Sequence, residues 1–205
     1  MLPKNFNELD AQKTLFLAAI KKLHSDSRKI ILRALRMAQH AHSGQLRDDG
    51  APYVIHPIRV ALSLIKEFDY TSPTLLGAAL LHDVVEDCSI SLLSIRRAYG
   101  ERIASIIKNV TDTRPSFETE DEKKIRKHTK LKLIHTKTRS SRIIKCADLL
   151  DNTRSWPLLL NNIPSRKKIP RWLQEAHISY LPLAHATDMR MYQALKKAVI
   201  AFKKK

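Results

Sequence analysis

The chain has 205 residues and a formal net charge of +17, with 37 Lys or Arg residues against 20 Asp or Glu residues. This length is enough for one well-buried domain, and one domain is our prediction. No apolar run approaches the about 18 residues that a membrane-spanning helix needs, and residues 1–15 lack the apolar core of a signal peptide. We therefore expect a cytoplasmic protein with no membrane partner.

The residue content favours an all-α fold. Only four glycines are present, Val and Thr alternate little, and Leu, Ile, Ala and Lys recur at spacings of three to four, a pattern typical of helices. Cys88 and Cys146 show neither a metal-binding spacing nor a disulfide framework. We expect two free thiols in a reducing compartment.

Basic side chains are concentrated in one stretch of the chain. Residues 123–147 contain ten Lys or Arg residues and no acidic residue, and such a field favours polyanions such as nucleotides, nucleic acid or anionic lipid. A solvated helix face explains the same run equally well. Nucleic-acid binding gains no second support, because the sequence has no periodic aromatic residues and no zinc-finger spacing.

The first predicted helices flank a polar loop. An amphipathic helix is expected over residues 27–43, with Gly44 as its C-terminal stop. Residues 45–53 contain Arg, two Asp, Gly and Pro, which is typical of a turn. His56 then lies at the start of the next helix, because Pro57 suits a first helical turn.

The next segment combines a buried pattern with charged side chains. One helix of about four turns is predicted over residues 74–87, with Ser72 as its N-cap and Pro73 at its first position. It is apolar nearly all round, as buried helices are. Burying carboxylates costs several kcal/mol each unless something compensates, and a divalent metal is the simplest compensation. The polar side chains at its end are His82, Asp83, Glu86 and Asp87.

A second polar stripe lies in another predicted core helix. Its members follow a 3, 4, 3 spacing among apolar residues and therefore share one helix face. They are Lys145, Asp148, Asn152 and Ser155. The remaining expected elements are short helices over 89–99 and 102–110, a mobile loop over 111–121, a long connection over 156–170 and closing helices over 171–203 interrupted near Pro182.

Two imidazoles and two carboxylates from these segments form a candidate ligand set. Thiolates would indicate zinc or copper, and an all-oxygen cage would indicate magnesium or calcium. Mixed nitrogen and oxygen ligands suit manganese, iron, nickel or cobalt, and the residues alone leave this choice open. The candidate ligands are His56, His82, Asp83 and Asp148.

Several motifs occur in the order and spacing of a known family. They are Ala41-His-Ser-Gly-Gln45, Arg47, Pro52-Tyr-Val-Ile-His-Pro57, Leu81-His-Asp-Val-Val-Glu-Asp87, Val110-Thr111, Ala147-Asp148 with Asn152, and Tyr180-Leu-Pro-Leu-Ala-His185. Together, over residues 31–185, they resemble the HD-domain phosphohydrolases and specifically the RelA/SpoT-type alarmone hydrolases. Nothing in the chain resembles a linked synthetase domain, so the resemblance implies a stand-alone small alarmone hydrolase.

The resemblance also implies a domain plan and a reaction. The HD hydrolase domain, a single compact multi-helix bundle, covers residues 27–190, residues 1–26 are an N-terminal helical extension of it, and residues 191–205 are a basic C-terminal helix end and tail. The implied reaction is manganese-dependent hydrolysis of the 3′-diphosphate of (p)ppGpp to GDP or GTP and pyrophosphate. The substrate is therefore an anionic purine nucleotide.

Residue roles follow from the same resemblance. His56, His82, Asp83 and Asp148 bind Mn²⁺, while Glu86 and Asp87 orient and deprotonate the attacking water. Arg47 stacks on the base, Asn152 binds the ribose or the metal side, Lys123 binds phosphate, and Ser155 stands where a small hydroxyl residue is frequent. A solvated surface lysine is the alternative for Lys123.

The chain departs from the family pattern at two positions. Asp48 stands where many relatives have a lysine, and Asp151 replaces a larger residue in the second stripe. An acid at position 48 repels a nearby phosphate, so the preferred nucleotide could instead be pGpp, an adenine alarmone such as ppApp, or the 2′-phosphate of NADPH. A basic nucleic-acid-binding or protein-binding module with an idle HD site is a third, less favoured alternative.

Overall fold

The computed structural model describes residues 3, 5–112, 115 and 117–203. Over this range the regular elements are helical, which confirms the predicted all-α class. In chain order they are α1 (Leu9–Ile20), α2 (Ser25–Ala41), α3 (Ile55–Lys66), α4 (Pro73–Leu81), α5 (Val84–Asp87), α6 (Leu92–Tyr99), α7 (Glu101–Val110), α8 (Glu120–Ile134), α9 (Arg139–Ser155), a 3₁₀ turn (Trp156–Leu159), α10 (Ile163–Arg166), α11 (Ile169–Glu175), a π turn (Ala176–Tyr180), α12 (Leu181–His185) and α13 (Met189–Lys203).

Helix α4 lies at the centre of the fold. Every residue from Leu75 to Leu81 is buried, and the helix packs against α2, α3, α7 and α9. The approach to α7 is so close that a Cβ atom on Gly77 would lie 3.0 Å from Ile103 Cδ1. The prediction that this apolar segment is a buried helix is confirmed.

The prediction of one continuous helix over residues 74–87 is wrong. Helix α4 ends at Leu81, His82 and Asp83 form a turn, and α5 begins at Val84. In a continuous helix neighbouring side chains diverge by about 100°. The turn instead brings His82 Nε2 and Asp83 Oδ2 to 3.2 Å from each other. The helix is interrupted where two adjacent side chains reach the same point.

Two other helices differ from the prediction at their ends. Helix α2 begins at Ser25 and ends at Ala41, and Gly44, with a φ of +76°, lies in the turn that follows. Helix α6 begins at Leu92 rather than at residue 89. Its N-cap is Ser91, whose hydroxyl accepts a hydrogen bond from the backbone N–H of Ser94 at 3.1 Å.

The loop predicted over residues 111–121 is shorter than expected. Residues 113, 114 and 116 lie outside the described residues, and the segment ends where α8 begins at Glu120. A capping box starts this helix: the Thr119 hydroxyl accepts from the Glu122 backbone N–H, and the Glu122 carboxylate accepts from the Thr119 backbone N–H. The local sequence therefore determines where the loop ends.

The predicted interruption of the closing helices lies near Pro182 but not at the proline itself. The chain is helical from Ile169 to His185, with one π turn over Ala176–Tyr180 that ends two residues before Pro182. Proline lacks the N–H donor, and its ring crowds the preceding turn. The wider π turn accommodates this crowding without ending the helix. The break occurs at residues 186–188 instead.

The predicted connection over residues 156–170 is partly helical, because it contains the 3₁₀ turn and α10. Trp156 packs in a small second apolar cluster with residues of α11, the π turn and α13. Its ring stacks on Trp172 with a centroid separation of 5.9 Å.

Among the helices of the described chain, none combines the length and the apolar character needed to cross a bilayer.

Candidate metal centre and adjoining pocket

The four candidate ligands come from three segments that meet in the core. His56 lies in the first turn of α3, His82 and Asp83 in the turn between α4 and α5, and Asp148 in α9. His56 Nε2 lies 3.2 Å from His82 Nε2 and 3.3 Å from Asp148 Oδ1. Asp83 Oδ2 lies 3.2 Å from His82 Nε2 and 3.6 Å from His56 Nε2. Ligand atoms of His56, His82 and Asp148 all lie within 4.8 Å of one another, and Asp83 adds a carboxylate beside the two imidazoles.

Hydrogen bonds on the far side of each imidazole determine which nitrogen faces this point with a lone pair. His82 Nδ1 lies 2.8 Å from the carbonyl oxygen of Ala79, which can only accept, so Nδ1 carries the proton. His56 Nδ1 donates in the same way to Asp151 Oδ2 at 2.7 Å. In the neutral imidazoles both Nε2 atoms therefore present lone pairs to each other and to two carboxylates.

This arrangement fits a divalent cation. Two ligand atoms about 2.1 Å from such an ion lie about 3.0–3.4 Å apart, depending on the angle between them. The separations of 3.2–3.9 Å here are close to that range. Four acceptor atoms this close repel each other unless positive charge lies between them. Buried imidazoles with hydrogen-bonded outer nitrogens are typical metal ligands.

Electrostatics at the site lead to the same conclusion. Burial alone would lower the pKa of His82, but the carboxylates of Asp83 and Asp148 outweigh burial and raise this pKa to about 9. Burial opposes ionisation of Asp148 as well, yet Lys145 and the two imidazoles hold its pKa well below the usual range. The site stabilises positive charge at the point where the four ligand atoms meet.

A polar cavity of about 170 Å³ lies over the ligands. Glu86 and Asp87 line it on the α5 side, and Lys145 and Asn152 line it on the α9 side. The backbone N–H of Asp112 donates to Glu86 Oε2 at 2.6 Å, which orients that carboxylate. The two predicted acid–base residues thus border the same cavity as the candidate metal ligands.

Tyr53 is a site residue that the sequence reasoning did not identify. Its hydroxyl lies 2.8 Å from Asp83 Oδ2 and 2.9 Å from Asp87 Oδ2. Burial, together with the charges of Asp83 and Asp87, raises the pKa of Tyr53 far above its ordinary value, so the phenol keeps its proton. The ring stacks on His42 with a centroid separation of 4.7 Å. Tyr53 therefore links a candidate metal ligand to a candidate catalytic carboxylate.

The lysines near the cavity differ from the predicted one. Lys145 Nζ donates to Asp148 Oδ2 at 2.7 Å. Burial, together with the nearby positive charge of Lys145, lowers the pKa of Lys130 to about 7. Lys123 forms a surface ion pair with Glu120 at 2.9 Å and does not line the cavity. The orientation of α8 about its own axis determines which of its lysines faces the site.

A second pocket of about 460 Å³ opens beside the cavity, and Tyr53, Asp87 and Asn152 line both. Asn152 Nδ2 donates to Asp148 Oδ1 at 2.6 Å, and Arg47 Nη2 donates to Asn152 Oδ1 at 3.2 Å. The far wall is aromatic. It includes Trp156, Trp172 and Tyr180.

Three further predicted or noted residues border this pocket or support it. The Ser155 hydroxyl donates to the Asp151 carbonyl oxygen at 2.9 Å and accepts from Arg59 Nη2 at 3.1 Å. Asp48, which also lines the pocket, accepts from the Ser165 hydroxyl at 3.0 Å. Asp151 is buried and hydrogen-bonded to His56, a role that the spacing of the second stripe did not indicate.

Comparison with known proteins gives the family. The family model described as HD domain matches residues 34–190. The chain belongs to the HD-domain family. The HD-domain chain is 32% identical over 182 residues to a protein of Borreliella burgdorferi named guanosine-3′,5′-bis(diphosphate) 3′-pyrophosphohydrolase, covering 87% of this chain and 26% of that protein. It is 36% identical over 158 residues to an Aquifex aeolicus protein of the same name, covering 76% of this chain and 21% of that protein.

A solved structure is similar over most of the HD-domain chain. It is described as a metazoan ortholog of SpoT that hydrolyzes ppGpp and plays a role in starvation responses. The TM-score is 0.68 at 26% sequence identity, covering 82% of this chain and 93% of that chain. By contrast, this chain spans about a quarter or less of the length of the two curated relatives.

Proposed function

We propose that the chain hydrolyses the 3′-diphosphate of a (p)ppGpp-type nucleotide and releases pyrophosphate, with Mn²⁺ as the resident ion. One observation carries the proposal: two imidazole lone pairs and two carboxylates converge at the floor of a polar cavity that continues into an aromatic pocket. The names of the curated relatives and of the metazoan structure support the same substrate.

His56, His82, Asp83 and Asp148 would hold the ion. A divalent ion supplies polarisation of a phosphoryl oxygen and a lower pKa for water. Mixed nitrogen and oxygen ligation is compatible with manganese, as it is with iron, nickel or cobalt, and the choice of manganese rests on the resemblance to the alarmone hydrolases. The buried outer hydrogen bonds of both imidazoles keep their rings oriented while substrate enters and product leaves.

Glu86 is the proposed proton acceptor for the attacking water, and Asp87 assists it. A carboxylate that lines the cavity and is oriented by the Asp112 backbone N–H can take a proton from water without being a metal ligand. Tyr53 keeps Asp87 and Asp83 at a fixed separation, because its hydroxyl contacts both carboxylates.

The substrate phosphates require compensating positive charge. Lys145 lines the cavity, and Lys130 lies close to Lys145, with its Nζ 3.9 Å from Asp112 Oδ1. We assign phosphate contacts to these two residues in preference to Lys123, whose ammonium pairs with Glu120. In the adjoining pocket Arg47 stacks on the purine and Asn152 contacts the ribose. Ser155 supports this wall through Arg59 and does not reach the substrate in the proposal.

A different nucleotide remains the second candidate because of Asp48. Its carboxylate lies in the wall of the base pocket and is fixed by Ser165, so it disfavours a phosphate placed there and favours a ligand that offers hydrogen-bond donors. Chromatography of ppGpp, pppGpp, pGpp, ppApp and NADPH after incubation with the Mn²⁺-loaded protein separates the candidates. Pyrophosphate release from ppGpp and pppGpp is expected. Turnover only of pGpp, ppApp or NADPH would move the specificity and leave the metal centre in place.

Variants test the chemistry itself. Asp83→Ala should lose both the ion and turnover, whereas Glu86→Gln should retain the ion and lose turnover, since only the first removes a proposed ligand. Full turnover in either variant would contradict the proposal. A cytoplasmic location stays a prediction, and nucleic-acid binding has no support beyond the net charge of +17.

A further inference from the structure

A buried network extends behind the metal centre. The His56 Nδ1–H donates to Asp151 Oδ2 at 2.7 Å. Arg59 donates two parallel hydrogen bonds to the same carboxylate, from Nε to Oδ1 at 2.8 Å and from Nη2 to Oδ2 at 2.9 Å. Arg59 and Asp151 are only 4% and 5% exposed. A bidentate arginine–carboxylate pair of this kind is strong and geometrically specific.

The opposite side of Arg59 is held by the N-terminal segment, which we define as residues 5–7. Its Nη1 donates to the Phe6 carbonyl oxygen at 3.2 Å and to Asn7 Oδ1 at 3.1 Å. The guanidinium carbon lies 4.0 Å from the centroid of the Phe6 ring. Its remaining Nη2 donor reaches the Ser155 hydroxyl at 3.1 Å. All five N–H donors of the guanidinium are thus satisfied.

Each part of this network fixes the next. A carboxylate on the outer nitrogen of a metal-binding imidazole fixes the ring orientation and increases the basicity of the ligating nitrogen. A buried carboxylate is itself stable only when paired, and Arg59 provides the pair. Arg59 in turn cannot rotate away, because residues of the N-terminal segment and of α9 hold its donors from two sides.

We propose that Asp151 is a positioning residue for His56 and that the N-terminal segment raises the affinity of the centre for a divalent ion through Arg59. The inference requires the metal centre but not the nucleotide substrate, so it stands if the preferred phosphate ester differs from ppGpp. Asp151 acts on the ion only through the imidazole. The N-terminal segment acts on the ion less directly still, by holding the Arg59 guanidinium that pairs with Asp151.

The test is calorimetric titration of Mn²⁺ into the metal-stripped full chain, without nucleotide. Asp151→Asn should weaken Mn²⁺ binding by about 10- to 100-fold, the usual effect of removing such a partner. The matched control is Asp188→Asn, which removes another carboxylate that is 7% exposed and pairs with an arginine, Arg190, away from the ligands. It should leave the affinity within about twofold. Equal affinities of the two variants would overturn the proposal.

Asp151→Asn leaves Arg59 as an unpaired buried charge, so a second variant avoids that cost. The double variant R59M/D151N removes the charge and should show the same loss of Mn²⁺ affinity; wild-type affinity in the folded double variant would overturn the proposal. Phe6→Ala should weaken binding several-fold, whereas Phe117→Ala, at a side chain that is 94% exposed, should not. An unchanged affinity in Phe6→Ala would remove the N-terminal segment from the proposal.

A measurement on the unaltered protein gives an independent check. Nitrogen-15 NMR of the histidine rings in the metal-stripped chain and in the chain loaded with diamagnetic Zn²⁺ reports which ring nitrogen is protonated. We expect a protonated Nδ1 on His56 in both states, because it donates to Asp151. A His56 ring with an unprotonated Nδ1 in the loaded protein would contradict the positioning role.

Discussion

Replacing Tyr53 with Phe isolates a single hydroxyl at the centre of the site. That hydroxyl contacts one proposed metal ligand, Asp83, and one proposed catalytic residue, Asp87, at 2.8 and 2.9 Å. The ring and its stacking on His42 remain in the variant. Any change in behaviour therefore comes from the loss of the shared hydrogen bonds.

The size of the effect follows from the number of hydrogen-bond donors that the variant loses. The Tyr53 phenol has a single O–H donor, so its two short contacts share that donor. Its removal therefore costs about one hydrogen bond to a charged group, about 1.5–3 kcal/mol. If this energy is expressed in the transition state, turnover falls about 10- to 150-fold. If it is expressed in folding, the melting temperature of a chain this long falls by about 3–12 °C.

The assay measures kcat, Mn²⁺ affinity and thermal unfolding on Tyr53→Phe and on a matched control. Tyr70→Phe is that control, because the Tyr70 hydroxyl also donates to an aspartate, Asp188, at 2.6 Å, but outside the site. We expect both variants to lose stability and only Tyr53→Phe to lose kcat. A Tyr53→Phe protein with wild-type kcat and Mn²⁺ affinity would refute the reasoning that this hydroxyl organises the carboxylates.

The remaining predictions concern the charge of Lys130, the stacking of the base on Arg47 and the bound ion. The pKa of Lys130 is about 7 in the free protein, and a bound phosphate should raise this pKa, so nucleotide binding at pH 8 should take up about one proton. Calorimetry in buffers of different ionisation enthalpy measures this proton uptake. The Lys130→Met variant should abolish the uptake. Arg47→Ala should raise KM by about tenfold through lost stacking, with a smaller change in kcat. Chelation of Mn²⁺ held at 100 times its Kd should cost about 2.7 kcal/mol, seen as a lower melting temperature; an unchanged melting temperature would argue against a resident ion.

The sequence indicated the segments that carry the candidate ligands, because polar side chains interrupt apolar helices there. His82 and Asp83 follow a helix segment in which every residue from Leu75 to Leu81 is buried, and Asp148 lies between buried neighbours in α9. Buried charge needs compensation, so the pattern itself carried information about the site. The turn at His82 and Asp83 was missed because no proline or glycine marks it. The turn allows the side chains of both residues to reach the candidate metal centre.

Residues whose environment depends on distant segments could not be predicted in the same way. Arg59 resembles an exposed position within α3, and its burial depends on Asp151, 92 residues away in sequence, and on Phe6, 53 residues away. Tyr53 lies in a turn, where hydrophobic periodicity gives no signal. The only available signal was its place in the Pro52–Pro57 motif, three residues before His56.

The basic stretch shows a third limit of sequence reasoning. Helix α8 carries lysines around much of its circumference, so periodicity does not determine which of them faces the core. The structure places Lys130 close to Asp112 and Lys145, and Lys123 in a surface pair with Glu120. Packing of α8 against α9 decides this orientation.

The most direct test of the central claim is a titration of the metal-stripped full chain with Mn²⁺ during hydrolysis of ppGpp, followed by chromatography of the released pyrophosphate. The account predicts no turnover without the ion, and turnover that saturates when about one ion is bound per chain, as expected for a single set of ligands. The Glu86→Gln variant should bind the same ion without turnover. Full turnover by the stripped protein, or turnover that does not follow occupancy of the His56, His82, Asp83 and Asp148 site, would contradict the account.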